Sequence, residues 1–386
     1  MAHTLTLFCG NEDQDTIVAR TGSQAPVKSQ TRTHFSDWSW YWNPNGVGGS
    51  QYINVPRFFN SDGSYVGWGA EEYNFVMAAL NFAAWPGSSQ YLYLWKWIDG
   101  SSNPRAWLRV NSSGGLERSL DGGAWTSVCS LDLDKWYTFS MRWLRNTTNG
   151  WKLIVRQGNT EIANVQANAS DYPIQALYFG DVGTTSYGSC YLDNVVVERA
   201  TTAGNVDDPF DLVGPYYAER VMIPNAAGTD NSGPWTGSYA DVDEIPNDGD
   251  TTVRTTPWGG EAYFTQHLSE APTPTGWKIS DCEGVIGFTV CRGTDTSSYR
   301  KVRLRRGSTT SETSAERVTP ASYEVQGTLW LTDPTDSGAW TADRLSTVEL
   351  GVHRTSGGQY VHCTEVLLFA LLVFSPTGAG GISWLG

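Results

Sequence analysis

The stretch YLYLWKWIDG, residues 91–100, sets Tyr91, Tyr93, Trp95 and Trp97 in alternation with Leu92, Leu94, Lys96 and Ile98. Side chains in an extended strand point to opposite faces in turn, so period two reads as β-structure. A second stretch, SDWSWYWNPNG at 36–46, repeats the pattern with Trp38, Trp40 and Trp42 at every second position. In a strand these three indoles share one face, either filling a core or offering flat rings to a ligand.

Hairpins dominate the first 200 residues. AWLRV, SSGG and LERSL form one, and KWYTFSMRWLR, NTTNG and WKLIVRQG form another. EEYNFVMAALNFAAW, residues 71–85, is the ambiguous stretch, since its alternation of bulky and small residues fits a strand about as well as a short helix. Residues 201–213 are small, acidic and Pro-containing, as a linker is. The expected division is therefore 1–200, a linker at 201–213, a second β-rich domain at 214–375 and a tail at 376–386.

Composition supports an all-β chain. Of 386 residues 41 are Gly and 17 Pro, and 18 Trp and 18 Tyr bring the aromatic share to 13%. Charged residues make up only 17%, and 40 acidic against 26 basic side chains give a net charge of −14. That sign argues against a nucleic-acid or anionic-membrane partner. The six cysteines lack metal-finger spacing and read as reduced thiols of a protein made in a cytoplasm. No basic region precedes an apolar core at the N-terminus, so no secretory signal is expected.

In the second domain, DPTDSGAWTADRLSTVELGVHR begins as a turn and continues as the expected short helix. Asp336 or Ser337 would cap it, and Leu345, Val348 and Leu350 would face inward. VLLFALLVF, Val366 to Phe374, is too short to span a bilayer and apolar on both faces, so it reads as a strand covered twice, within one chain or between several. Its Val366, Leu368, Phe369, Leu371 and Phe374, with Ile382, Trp384 and Leu385 of the tail SPTGAGGISWLG, are the assembly candidates.

GGLERSLDGGAW, LDLDKWYTFSMRW, NGWKLIVRQGNTEIAN and FGDVGTTSYGSCYLDNVVVE together resemble the laminin-G-like, concanavalin A-type jelly roll. VDEIPNDGDTTV, GVIGFTVCRG, RKVRLRRGS and LTDPTDSGAWTADRLSTVELGV resemble a module of tailed-bacteriophage structural proteins. The resemblance implies a jelly-roll sandwich fused to a smaller β-rich domain with one short helix. It further implies a virion structural protein, synthesised in the host cytoplasm and exposed as a capsid decoration, head spike, tail fibre or baseplate component. Other copies of itself and other virion proteins are the expected partners, with host-surface glycan as a further one.

No G-x-S-x-G, H-E-x-x-H, G-x-G-x-x-G or P-loop occurs. The paired-carboxylate run E-x-D-x-x-E of glycan hydrolases of this fold is missing too. The expectation is accordingly a protein without enzymatic activity, cofactor or metal. A glycan adhesin is the alternative, and a polysaccharide depolymerase the third reading. Jelly rolls often hold a structural Ca²⁺, for which Asp13 or Asp15 with Asp193 would be the oxygen donors, but a solvated acidic turn is the favoured reading. Uncharged sugar recognition stacks rings on aromatic faces, so Trp38, Trp40, Trp42, Trp95 and Trp97 are the stacking candidates. Two sheets must also fill their inner faces, and alternate aromatics do that by default, so packing is the favoured reading.

Overall fold

A computed structural model describes residues 3–8, 19–32, 34, 39–46, 50–54, 58–59, 65–66, 73–158, 160–181, 185–200, 217–228, 235–242, 253–254, 260–268, 277–295, 297–320, 322–356 and 360–377. Over the described residues the chain is all-β, in three antiparallel sheets of ten, seven and ten strands. The first two use strands between His3 and Ala200, and the third uses strands between Tyr217 and Pro376.

Strand Tyr73–Ala84 lies inside the first sheet, between Trp136–Leu144 and Ser189–Ala200. Its first ten residues are all buried, which resolves the ambiguous stretch as a strand. A strand covered on both faces has no reason to alternate polar with apolar, so its period is hard to read. The second sheet runs in the order Thr126–Ser130, Gly115–Leu120, Pro104–Asn111, Tyr91–Ile98, Ala176–Asp181, Gln51–Asn54, Ala19–Thr21. Between the two sheets Trp95 meets Phe139 and Phe179 edge-on, at centroid distances of 5.4 and 5.9 Å. Its indole Nε1 donates to the Met141 sulfur at 3.4 Å.

The third sheet is built on two long neighbours, Trp277–Gly293 and Val361–Pro376. The apolar run is covered twice within this chain. Leu367, Phe369 and Leu371 join Ile286, Phe288 and Leu329 in a cluster continuous with the core of the first sandwich. Val366, Leu368, Ala370, Leu372 and Phe374 point the other way, into a second cluster with Trp330, Trp340 and Leu350. Val366, Leu368, Phe369, Leu371 and Phe374 are each at most 2% exposed, so the assembly expectation for these five is corrected. Their apolar area is already removed from water and offers nothing further to another copy. Ile382, Trp384 and Leu385 lie outside the described residues.

The expected helix is shorter than its motif. Only Ala342–Leu345 is helical, and its N-cap is Thr341, whose hydroxyl accepts from the Arg344 amide at 3.3 Å. Asp336 instead takes both terminal nitrogens of Arg344 at 2.8 Å, and Ser337 sits at φ +61° in the turn. Val348 and Leu350 do face inward, but from strand Val348–Ser356. Among the described residues no helix is long and apolar enough to cross a membrane.

Candidate functional site: the outer face of the seven-stranded sheet

Strand Tyr91–Ile98 does not keep a single alternation. Opposite it, Leu108 pairs with Trp95 and Arg109 pairs with Tyr93, which leaves Leu94 as an extra residue. Such a β-bulge sets two residues against one and reverses the facing of everything beyond it. Before the bulge Tyr91 and Tyr93 point outward; after it Trp95 and Trp97 point inward and Lys96 takes the outer place. The burial follows, with Trp95 and Trp97 at 0% exposure and both tyrosines half-buried.

The outer face therefore carries its own aromatic cluster. Tyr93 lies 5.0 Å from Trp107 and 6.0 Å from Trp125, and the two indoles are 5.5 Å apart. Cations interleave with the rings. The Lys96 ammonium sits 4.3 Å from the Trp107 ring, and the Arg109 guanidinium is held between Tyr91 at 3.5 Å and Trp125 at 3.9 Å. Arg109 Nε donates to Glu117 at 2.8 Å, and the Asn111 amide donates to the other carboxylate oxygen at 3.1 Å. Across the sheet the row continues from Trp107 through Lys96 and Tyr178 to Asn54. Tyr52 meets Tyr178 edge-on at 4.5 Å. With neighbouring strands about 4.8 Å apart, the five strands from Ser119 to Asn54 span roughly 19 Å.

A second irregularity closes one end of this face. Arg105 is the extra residue between Pro104 and Ala106, and its guanidinium bonds Asp99 and, at 3.1 Å, Asp121. The Tyr172 ring lies 3.5 Å away. Burial pushes the Asp99 carboxyl up, but the bonds from Arg105, Asn103 and Ser101 outweigh it and hold its pKa at about 2. Asp99 is thus a permanent anion at neutral pH and supplies no proton. The Nε1 of Trp107, buried and without a hydrogen-bond partner among the described residues, is a further donor of the cluster.

Four of the five stacking candidates are elsewhere. Trp40, Trp42, Trp95 and Trp97 are at most 3% exposed and belong to the core, so for these four the favoured packing reading holds and the stacking alternative is corrected. Trp38 lies outside the described residues. Asp193 is fully buried and accepts from the amides of His34 at 2.6 Å and Asn194 at 2.7 Å. Asp13 and Asp15 lie outside the described residues, among which no cluster of three metal-ligating side chains occurs. Burial lowers the His34 pKa to about 4.

Trp107, Trp125, Arg109 and Glu117 were not among the expected site residues. Their signal was in the hairpin: W-x-R on one strand and E-x-S on the other place Trp107, Arg109, Glu117 and Ser119 on a common face.

The fold and this face define an all-β protein with a jelly-roll-like sandwich and an aromatic, hydrogen-bonding outer surface. No protein-family model matches the chain. No curated protein sequence matches it. Among solved structures it is similar to an endo-beta-1,4-glucuronan lyase from the fungus Trichoderma reesei, at 10% identity and TM-score 0.36, over 51% of this chain and 96% of that one. It is also similar to a conserved carbohydrate esterase from the Shiga toxin-encoding bacteriophage phi24B, at 11% identity and TM-score 0.35, over 52% and 99%. Trypanosoma rangeli sialidase matches at 11% identity and TM-score 0.32, over 47% of this chain, which spans only 30% of the sialidase.

These likenesses concern the β-rich sandwich architecture alone. The expectation of a non-enzymatic protein is corrected here, because the neighbours are a lyase, an esterase and a sialidase.

Proposed function

We propose that this chain is a bacteriophage particle protein that contacts carbohydrate through the outer face of its seven-stranded sheet. In this reading the C-terminal tail seats the protein on a capsid or tail, and the jelly roll faces outward. The observation that carries the carbohydrate part is the Tyr93, Trp107 and Trp125 cluster, which is half-buried on an outer face although 0%-exposed indoles were available to the same sheet. The apolar C–H face of a sugar packs on such rings by dispersion, while Arg109, Glu117 and Lys96 lie beside them for the hydroxyls, with Asn54 farther along the same row. The particle part is supported by the resemblance of LTDPTDSGAWTADRLSTVELGV to tailed-phage structural modules.

A host-surface glycan array tests the first part. The native protein gives a signal, and Trp125→Ala, with an unchanged circular dichroism spectrum, loses about tenfold in affinity. An array that stays blank for the native protein removes the reading. A reducing-end assay on the bound glycans reports whether contact is followed by cleavage. Cryo-electron microscopy of the intact particle locates the chain or shows that it is not there.

A further inference from the structure

We infer that the outer face selects an uncharged glycan, with Arg109 and Glu117 acting as a paired donor and acceptor for neighbouring hydroxyl groups. The inference rests on the carbohydrate reading above and names the class of sugar it takes.

Arg109 is unusually fixed for a surface cation. The Tyr91 and Trp125 rings lie 3.5 and 3.9 Å from its guanidinium carbon, Glu117 takes Nε at 2.8 Å, and the side chain is only 11% exposed. Its terminal nitrogens make no hydrogen bond among the described residues. What remains is a flat edge of N–H donors, already oriented, so little side-chain freedom is lost when a ligand binds there.

Glu117 is fixed as well. Asn111 donates to its Oε1 at 3.1 Å, and Asn111 is held in turn by the amides of Ser113 at 3.0 Å and Gly115 at 2.9 Å. Each carboxylate oxygen takes one bond from the protein and has a second lone pair to offer. The ligand therefore meets donors and acceptors side by side.

A hydroxyl group does both jobs, whereas a sugar carboxylate only accepts and would bring its charge against Glu117. The wider face is balanced too. Lys96, Arg105 and Arg109 stand against Asp99, Asp121 and Glu117, and Asp99 and Asp121 are both bonded to Arg105. With the whole chain at −14, no excess of positive charge recruits an anionic polymer.

The test is a panel of uronic-acid oligosaccharides, each paired with its carboxyl-reduced counterpart, titrated calorimetrically at low and high salt. The neutral member of a pair is expected to bind on the order of tenfold more tightly, with an affinity that salt changes by less than about twofold. Arg109→Lys keeps the charge but loses the flat donor edge, and weakens neutral binding about tenfold. Glu117→Gln narrows the preference by letting the acidic member in, a change of selectivity that mere loss of packing does not produce. It also serves if Arg109→Lys fails to fold. Tighter binding of the acidic members, weakened by salt, overturns the inference and leaves the carbohydrate reading standing. Silence on every member removes the carbohydrate reading and this inference with it.

Discussion

The two faces of the seven-stranded sheet are furnished with the same kinds of residue in different surroundings. On the inner face Trp95 and Trp97 are fully buried and pack against the opposing sheet. On the outer face Trp107 and Trp125 are half-buried, share their rings with Lys96 and Arg109, and reach solvent. The side of the sheet, not the identity of the residue, separates core from candidate site. On strand Tyr91–Ile98 the side is set by one extra residue, Leu94.

Deleting Leu94 is the most direct way to probe this contrast. It would remove the bulge and leave Tyr93 outward and Trp95 inward in strict alternation, at the loss of the buried Leu94 side chain. The expected result is a folded first sandwich with native-like near-ultraviolet circular dichroism, destabilised by about 2–5 kcal/mol in urea denaturation. Trp95→Ala keeps the register and removes one inner indole, with an expected cost of about 3–5 kcal/mol in urea denaturation. The outer Trp125→Ala is expected to cost less than about 1 kcal/mol, since its ring is not part of the core. Equal losses at the two positions would erase the distinction between the faces.

Acid sharpens the comparison at the end of the outer face. The Asp99 pKa is held at about 2, below its ordinary 3.8, so its contribution is fully present at neutral pH. It is lost as pH falls from about 4 through about 2, and amounts to roughly 2 kcal/mol. Urea melts across that window should show the native protein losing this increment while Asp99→Asn, already without it, changes less.

Much of the fold was legible in local pattern. The hairpins around residues 111–115 and 144–151 form where the turn residues lie, with Gly114 at φ +78° and Asn146 and Asn149 at positive φ. The run Val366 to Phe374 is a strand covered on both faces, as its unbroken apolarity requires. The helix was overestimated because DPTDSGAW carries good capping residues. Asp336 spends its carboxylate on Arg344, and Val348 begins a strand whose partners lie far away in sequence.

For a related reason the pattern left Trp38, Trp40, Trp42, Trp95 and Trp97 open between packing and stacking. A period of two says that residues share a face and is silent on which face meets the other sheet.

By itself the sequence determined that this chain is all-β and where the hairpins of its first 200 residues turn, because those are local consequences of backbone sterics and side-chain period. Only the tertiary structure decided which alternate set is buried, that the double-faced apolar strand is satisfied within the chain, and that Trp107, Trp125, Arg109 and Glu117 meet on one surface. Those outcomes depend on a bulge and on pairings between distant strands, where the free energy of burying one face against another sheet chooses between arrangements that local preference leaves equal.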